Sequence, residues 1–472
     1  MALYLAVTRE TGTDSPGLAY PEADAVEPGH NGGGVVPYVN IIWSRMIPRH
    51  VIAWSVCASI LLSGCTSTLF NVPQGTLDEG AYTSIYPWYA EFCAVSEISK
   101  KPGFGAEIVP GGPGGHSVLY LNGVCRDKSA GYPVVMLCGT GGPPGDGEGV
   151  GLSVNEHYSN ANWIATDGRD FLMHGDLHPG EPLTRESYLR TQAKAEAMGI
   201  LDGVVFHSWV FDSQPAGMSR IDFMYDMSVA SDYAINLGRD RYCARVPLDR
   251  AKMARIVEYL NAENAPYRSG QKVFNWSVVQ NNCAHLAHNA LAHAGLWSEW
   301  GTDRPLLISA FDFPVPKNEF VNLMRRTNDM PIGDLAALYD DKSARAAILQ
   351  QDWIPTGPGG LAEAERAVPQ NDVYDTNLRL IFYDEPIFGH YQERFDRIFS
   401  EPRYTDLRAN LNHFAALYST ILSQPFPSET GMSANANARR AFYLKYRDTI
   451  VREKAKLDAA LGVLWVAPGQ RS

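Results

Sequence analysis

The sequence predicts an α+β protein, because apolar residues follow a strand-like pattern in one part of the chain and a helical pattern in another. Residues 80–200 alternate short apolar runs with glycine-rich turns, which is typical of strands joined by loops. Beyond residue 331, apolar side chains recur with the spacing of one helix face. The chain has 472 residues, enough for a sizeable core and for more than one domain.

The composition excludes several classes of protein. Hydrophobic residues make up 45% of the chain and charged residues 19%, so the chain is not intrinsically disordered. The 42 glycines and 30 prolines interrupt every long apolar stretch, which argues against a protein with many membrane spans. The net charge is -12 and basic residues do not cluster, so we expect no nucleic-acid partner.

Residues 46–64 have the pattern of a secretory signal peptide. A basic start precedes the apolar residues 51–62, and small residues follow before Cys65. The apolar stretch is shorter than the roughly 20 residues that span a bilayer as a helix. Residues 1–45 are acidic and rich in glycine and proline, so we expect them to be a non-native leader and the true start to be Met46.

The four residues Leu-Ser-Gly-Cys that end at Cys65 resemble the lipobox of bacterial lipoproteins. The resemblance implies that Cys65 becomes the mature N-terminus and carries acyl chains such as palmitate, with residues 65–79 as a tether. Several acyl chains anchor a protein stably at a membrane surface. We therefore expect a bacterial cell envelope protein, anchored in the outer membrane. The alternative is that residues 51–62 form a buried helix and that Cys65 is an ordinary thiol.

Export would place the body of the protein in an oxidising compartment. Five cysteines follow Cys65 in the sequence, and an odd number leaves one of them unpaired.

The region 201–330 contains the strongest candidate for chemistry. Strands are predicted near Val204–Phe211 and Ile221–Met227, and a later helix is predicted to begin after Asn282, a good N-cap. Cys283 would lie in the first turn of that helix. Unsatisfied N–H groups and the helix dipole stabilise a thiolate there, so we expect a lowered thiol pKa and a nucleophilic Cys283.

A general base for this thiol must come from another element. The helical spacing directs Cys283 towards the protein interior, so a histidine on a neighbouring strand could face it. His207, within the predicted strand Val204–Phe211, is the first candidate. If the two predicted strands form a hairpin, Asp222 or Asp226 lies on the same face and could orient the imidazole.

Two other interpretations of these residues stay open. Cys283 could be a buried structural thiol in an alanine-rich helix. His285 and His288, three residues apart on the helix, could bind a metal together with His178 from a turn. Zinc requires further ligands and the glutamate of the His-Glu-x-x-His motif is absent, so we expect a solvated helix face instead, with no metal and no cofactor.

The Asn-Cys-x-His run at 282–285, some 80 residues after the predicted histidine strand, resembles a known family. It is similar to the circularly permuted papain-like thiol hydrolases, which include lecithin:retinol acyltransferase and bacterial cell-wall amidase relatives. The similarity covers residues 204–296. It implies an antiparallel sheet with a cysteine-bearing helix in residues 201–330. The apolar pattern itself predicts a loop-rich β region at 80–200 and a helical C-terminal domain at 331–472, and neither of these regions resembles the family.

The resemblance to this family implies that Cys283 is the nucleophile and His207 the general base. The Cys283 amide, with Gln280 or Asn282, would stabilise the oxyanion. His116 is a competing base, because the residues around it also resemble the histidine strand of the family. It lies 167 residues before Cys283, which would require a large insertion, so we prefer His207.

These observations predict a membrane-anchored lipoprotein that acts as a thiol amidase, peptidase or acyltransferase on cell-envelope substrates. Peptidoglycan stem peptides are the expected substrate class, from the resemblance and the compartment. The alternative is a non-enzymatic envelope lipoprotein whose decayed module binds a partner. A metal-dependent hydrolase that uses the histidines of the helix is a third hypothesis.

Overall fold

The structure is a computed structural model, and the residues that it describes belong to one compact unit spanning 58–472. The described residues are 65–68, 77–104, 115–139, 142–145, 147–278, 280–302, 315–376, 380–384, 389–425 and 434–465. The predicted leader and signal peptide therefore lie outside them.

Ten strands form three sheets. In chain order the strands are β1 (Cys65–Thr68), β2 (Tyr89–Val95), β3 (His116–Asn122), β4 (Val124–Arg126), β5 (Val135–Leu137), β6 (Gly149–Ser153), β7 (Ile164–Asp167), β8 (Arg241–Pro247), β9 (Leu361–Glu365) and β10 (Leu380–Tyr383). The central sheet has the order β7-β6-β3-β2-β8-β9 and is antiparallel throughout. Strand β1 pairs with β10, and β4 pairs with β5. The predicted α+β class is confirmed.

Twelve described helices surround the sheets. They are α1 (Glu79–Ile85), α2 (Arg169–His174), α3 (Arg185–Ala197), α4 (Arg220–Ser228), α5 (Arg250–Arg268), α6 (Cys283–His293), α7 (Pro316–Asn328), α8 (Leu335–Asp340), α9 (Lys342–Gln351), α10 (Tyr391–Ser400), α11 (Leu407–Ser423) and α12 (Ala434–Trp465). Short 3-10 turns cover 128–130, 208–213, 235–237 and 402–404. Within the described ranges, no helix is long and apolar enough to cross a membrane.

The central sheet draws its strands from three parts of the chain that the sequence analysis separated. Four strands come from residues 80–200, β8 comes from 201–330 and β9 comes from 331–472. Antiparallel pairing between residues far apart in sequence produces this arrangement. The sheet predicted for 201–330 is therefore built mostly from strands outside that region.

Helices cover both faces of the central sheet, and this explains why its middle strands are buried throughout. Every residue of β2 is buried. On one face α6 packs against β3, and α7 packs against β2 and β8. The apolar side chains of this face form the larger core cluster, which includes Phe92, Leu119 and Leu121. This packing brings the start of α6 to β3.

The opposite face of the sheet carries a buried ion-pair network. Glu91 is fully buried on β2 and accepts hydrogen bonds from Arg169 Nε at 2.7 Å and Arg245 Nε at 3.3 Å. Glu363 Oε2 lies 2.9 Å from both guanidinium groups. Burial alone would raise the pKa of Glu91, but Arg169 and Arg245 hold it well below its usual range.

Two disulfides account for four of the five cysteines that follow Cys65. Cys93 on β2 is bonded to Cys243 on β8, and Cys125 on β4 is bonded to Cys138. The fifth cysteine, Cys283, is free, as the odd count predicts.

Candidate functional site

Helix α6 begins where the sequence predicts. The Oδ1 atom of Asn282 accepts hydrogen bonds from the backbone N–H groups of Ala284 at 2.9 Å and His285 at 3.1 Å. These bonds satisfy two of the N–H groups that every helix leaves unpaired at its start. Cys283 is therefore the first residue of the helix, and its thiol is free and buried.

The Cys283 side chain is directed into the protein, against the start of β3. It is 9% exposed and belongs to the larger core cluster. Burial raises the pKa of the Cys283 thiol, although the neighbouring Ser117 and the backbone N–H groups at the helix start oppose that effect. The expectation of a lowered pKa is therefore wrong, because desolvation of a thiolate in this position outweighs the hydrogen bonds that Ser117 and the backbone N–H groups at the helix start offer it.

His116, the first residue of β3, has one ring nitrogen fixed by two hydrogen-bond partners. Its Nε2 atom lies 3.0 Å from the carbonyl oxygen of Ser231 and 3.1 Å from Ser153 Oγ. A carbonyl oxygen can only accept, so Nε2 carries the proton and Nδ1 is the basic nitrogen. Ser153 Oγ in turn donates to Asp232 Oδ1 at 2.7 Å. A chain of polar groups thus orients the His116 ring.

Arg239 is a buried positive charge that acts electrostatically on both His116 and Cys283. Its guanidinium donates to the carbonyl oxygens of Ala230 and Ser96, both at 2.6 Å. Burial lowers the pKa of Arg239 to about 10, so the group is still a cation at neutral pH. Burial and Arg239 together lower the pKa of His116 to about 3, so its ring is neutral.

The segment that supplies Ser231 and Asp232 has an unusual backbone. Ala230 and Ala234 have φ values of 59° and 53°, in the left-handed region where a Cβ atom is disfavoured. Both alanines are fully buried. Strain of this kind persists where the surrounding packing requires it, and here it directs the Ser231 carbonyl towards His116.

The side chains of His116 and Ser117 point in different directions, because successive residues of a strand alternate between faces. Ser117 lies beside Cys283, and its buried hydroxyl has no hydrogen-bond partner among the described residues. The His116 ring is directed to Ser153 and Ser231 instead. Within the described residues, no hydrogen bond joins the Cys283 sulfur to a histidine ring.

His207 does not lie on a strand, contrary to the prediction. It precedes the 3-10 turn at 208–213, where its Nε2 atom contacts the carbonyl oxygen of Phe274 at 3.0 Å and its ring stacks on Trp209. Val204, Phe206 and Val210 are buried in the core, Val205 is exposed, and the segment pairs only through an isolated bridge between Phe206 and Tyr158. No described contact joins His207 to Cys283.

The predicted hairpin partner of His207 is also wrong, since residues 220–228 form helix α4. Ser219 caps this helix by accepting from the Asp222 N–H at 3.0 Å, which places Asp222 in the exposed first turn. Asp226 is buried on the same helix, where it binds Lys100 Nζ at 2.8 Å and the Tyr188 hydroxyl at 2.8 Å. Neither carboxylate orients His207.

The two residues proposed to stabilise an oxyanion have different surroundings. The side chain of Asn282 is occupied by its capping bonds and by donation to the carbonyl oxygen of Val278 at 2.8 Å. Gln280 lies in the turn that precedes it, with its N–H directed to the carbonyl oxygen of Ser277. The amide of Asn282 thus has a structural role at the start of α6.

His285 and His288 lie on a buried face of α6, not on the solvated face that was predicted. His288 is sandwiched between the rings of Trp297 and Trp300, with Nδ1 2.6 Å from Glu319 Oε1 and Nε2 2.9 Å from the carbonyl oxygen of Ser298. Both ring nitrogens of His288 are therefore used within the protein, and they tie α6 to its neighbours.

The histidines considered as metal ligands do not come together. His178 lies in an exposed turn and is not grouped with His285 or His288. In the described part of the chain, three potential ligand atoms gather only at Glu91, Cys93 and Cys243, and the two cysteines there form a disulfide.

Sequence reasoning missed two residues that act on the Cys283 sulfur, Ser117 and Arg239, and three that orient His116, namely Ser153, Ser231 and Asp232. Strand pairing and helix packing bring these residues together from positions more than 100 residues apart. Their spacing in the sequence therefore carries no signal. Only His116 was recognisable as a candidate from the sequence, because it follows a glycine at the start of an apolar run.

Comparisons of this chain with models of protein families, with curated proteins and with solved structures found no match.

Proposed function

We propose that the protein is a thiol hydrolase or acyltransferase in which Cys283 is the nucleophile and His116 the general base. The observation that carries this proposal is the fixed tautomer of His116, on the strand that contacts the start of α6. The described residues make no hydrogen bond to Nδ1, so this nitrogen can accept a proton. A free thiol on a helix N-terminus and a neutral, oriented imidazole are the two groups that acyl transfer by cysteine requires.

The reaction would proceed through an acyl-enzyme. Proton transfer from the Cys283 thiol to His116 Nδ1 accompanies attack of the sulfur on a carbonyl carbon of an amide or ester. The leaving amine or alcohol takes that proton, and a thioester forms on Cys283. Water or an acceptor then attacks the thioester, which releases the acid and restores the thiol. In the structure the His116 ring contacts Ser153 and Ser231 and not Cys283, so this step requires the ring to turn until the sulfur and Nδ1 are about 2.6–3.2 Å apart in the substrate complex.

The surroundings of Cys283 and His116 keep both side chains uncharged in the resting protein. Burial raises the pKa of Cys283, and burial with Arg239 lowers that of His116 to about 3, so a thiol and an imidazole coexist without charge. The cation of Arg239 would stabilise the sulfur as negative charge develops on it. A permuted papain-like arrangement, with the histidine strand β3 before the cysteine helix α6, is part of this proposal.

The test is formation of an acyl-enzyme by the full chain. After incubation with p-nitrophenyl butyrate, peptide mass spectrometry should find a butyryl group on Cys283, and Cys283→Ser should abolish it. His116→Gln should slow acylation about 100-fold or more, because the base is lost. His390→Gln, which removes an exposed histidine, is the matched control. If His207→Gln slows acylation and His116→Gln does not, our assignment of the base is wrong.

Peptidoglycan peptides are the substrate class that we propose, and Cys65 is the proposed lipid anchor. The first residues of the expected tether 65–79 are not a free linker, because Cys65–Thr68 form strand β1 and pair with β10. An acylated Cys65 would therefore join the membrane directly to the folded body. Release of stem peptides from purified peptidoglycan tests the substrate. Mass spectrometry of the mature N-terminus from a bacterial host tests the anchor, and an unmodified N-terminus before Cys65 would contradict it.

A second candidate is a non-enzymatic envelope lipoprotein, which the burial of Cys283 favours. At 9% exposure and with a raised pKa, this thiol resembles a structural core cysteine. In that case no acyl adduct forms on Cys283 with any activated ester, and Cys283→Ala destabilises the fold by only about 1 kcal/mol.

A further inference from the structure

Helices α7 and α10 carry a basic surface that the proposed reaction does not use. Arg325 lies on α7, and Arg394 and Arg397 lie on α10. Arg325 and Arg397 are exposed, and Arg394 is partly exposed. We call these three residues the basic patch. Helix packing creates it, because Arg325 is far from the other two residues in the sequence.

The positive charge of the patch is only partly compensated. The carboxylate of Asp329 lies beside the patch, but it is shared between Arg397 at 3.2 Å and Arg403 at 3.0 Å. Within the described residues, the side chains of Arg325 and Arg394 make no hydrogen bond or ion pair. Partial burial and the neighbouring guanidinium of Arg394 lower the pKa of Arg325, so these two cations repel each other.

Helix α10 keeps its basic and acidic side chains largely apart. At about 100° per residue, Arg394 and Arg397 fall on one flank of the helix. Asp396 falls on the other flank, where it accepts a hydrogen bond from Gln392 at 2.9 Å. Glu393 is exposed between the two flanks. The flank that faces α7 is therefore basic.

The patch lies close to the proposed lipid anchor. Strand β1 begins at Cys65 and pairs with β10, where Thr66 is opposite Phe382. The Phe382 ring packs against Phe395 of α10, with 4.9 Å between the ring centres, and Phe395 directly follows Arg394. Strand β10 also packs against α7. The anchor strand, its partner strand and the two helices of the patch are therefore neighbours.

We infer that the basic patch binds the phosphate groups of anionic lipids in the membrane that holds Cys65, and so determines which face of the protein meets that membrane. Acyl chains on one residue attach the chain at a single point and leave its orientation free. A basic surface beside a lipid anchor is a second attachment, which acts through charge. This inference rests on the proposed function only through the anchor, and it does not use the chemistry of Cys283.

The charge of the whole chain explains why a local patch would matter. The net charge is -12, so an anionic membrane repels the average surface of this protein. Salt screens charges that lie farther from the membrane than about 8–10 Å, whereas arginines at the membrane surface are screened much less. A guanidinium group also binds two phosphate oxygens at once. A face that carries uncompensated arginines is therefore the one that anionic lipids attract.

The experiment measures binding of the full chain to lipid vesicles. The parent protein carries Cys65→Ser, which prevents acylation, and the vesicles are phosphatidylcholine with or without phosphatidylglycerol. Arg325→Gln/Arg394→Gln should weaken binding to the anionic vesicles about tenfold or more, because each arginine near an anionic surface adds to the affinity. Arg250→Gln/Arg440→Gln is the matched control, since it removes the same charge from exposed positions on α5 and α12 and should bind like the parent.

The outcomes separate this inference from the proposed anchor, which is tested on the wild-type N-terminus. If both double variants bind the anionic vesicles equally, or if the parent does not prefer anionic vesicles, the patch does not face a membrane, even where Cys65 is found to be acylated. If the N-terminus is unmodified and precedes Cys65 but binding depends on Arg325 and Arg394, the anchor is wrong and the membrane-binding surface stands.

A second measurement leaves the patch itself unchanged. The reagent p-hydroxyphenylglyoxal modifies exposed guanidinium groups, and peptide mass spectrometry reports which arginines of the Cys65→Ser chain have reacted. Anionic vesicles should protect Arg325 from this reagent more than they protect Arg250 and Arg440, and neutral vesicles should protect none of them. Equal protection of the three arginines by anionic vesicles would contradict binding through the patch.

Discussion

The Nε2 atom of His116 lies 3.0 Å from the carbonyl oxygen of Ser231, and this contact determines which ring nitrogen can act as a base. A lone pair on Nε2 would face the lone pairs of the carbonyl oxygen, which is unfavourable. A proton on Nε2 makes the same contact a hydrogen bond. The backbone of a segment more than 100 residues away thus selects the tautomer of His116.

The first prediction is that His116 is the Nε2–H tautomer at neutral pH. Long-range ¹H–¹⁵N spectra of protein labelled at histidine nitrogens should show an unprotonated Nδ1 for this residue, and the His116→Gln spectrum assigns the signals. A protonated Nδ1 would contradict the role of His116 as the base, because its only free nitrogen would then be a donor.

The second prediction concerns stability in acid. The pKa of His116 is lowered from 6.5 to about 3, so between these values the unfolded chain binds a proton that the folded chain does not. Folding stability should fall as the pH drops through this window, by up to roughly 5 kcal/mol in total. The difference in unfolding free energy between wild type and His116→Gln should therefore shrink as the pH falls from 7 to 4.

The pKa of His174 is shifted in the opposite direction from that of His116, so its effect on stability should depend on pH in the opposite way. It is partly buried, but hydrogen bonds to Glu365 and Asp170 raise its pKa. A raised pKa adds stability that is present at low pH and is lost as the pH rises through that value. Denaturant unfolding at several pH values should show that His174→Gln destabilises the protein more in acid. If both variants depend on pH in the same way, one of these assignments is wrong.

The local parts of the fold were predictable from the sequence, and the site was not. The start of α6 was predicted because the cap is local: Asn282 bonds to N–H groups two and three residues ahead. The error at 220–228 was avoidable, since Ser219 is a good N-cap and its side chain bonds to the N–H three residues later. The apolar run alone did not distinguish a short helix from a strand.

The errors at the site have a different cause. The predicted pKa of Cys283 considered only the helix that carries it, whereas burial depends on β3, which lies more than 160 residues away in the sequence. Likewise, Ser153 reaches His116 because β6 pairs with β3. Sheet order decides these contacts, and a single sequence does not reveal sheet order.

The third prediction concerns the ion-pair network on the opposite sheet face. Glu91→Gln would leave the guanidinium groups of Arg169 and Arg245 with less compensation in a buried position, and we expect a loss of about 3–5 kcal/mol of unfolding free energy. Glu79 binds the same two arginines but is 44% exposed, so Glu79→Gln should cost about 1 kcal/mol or less. Urea titrations measure the unfolding free energy of both variants. Similar losses would show that the burial of a carboxylate does not determine how much it contributes to this network.

The fourth prediction ranks the two disulfides by the loops that they close. The Cys93–Cys243 bond spans 150 residues of sequence and the Cys125–Cys138 bond spans 13. In the chain-entropy account, cross-linking removes conformational freedom from the unfolded chain, by about 5 kcal/mol for the longer loop and about 3 kcal/mol for the shorter one. The Cys93→Ala/Cys243→Ala variant should therefore unfold at lower denaturant concentration than Cys125→Ala/Cys138→Ala.

Because β2 and β8 are adjacent central strands, the first pair of substitutions also removes buried volume from the sheet, which acts in the same direction. A smaller loss for the 93–243 pair would mean that the unfolded chain keeps β2 and β8 together without the bond.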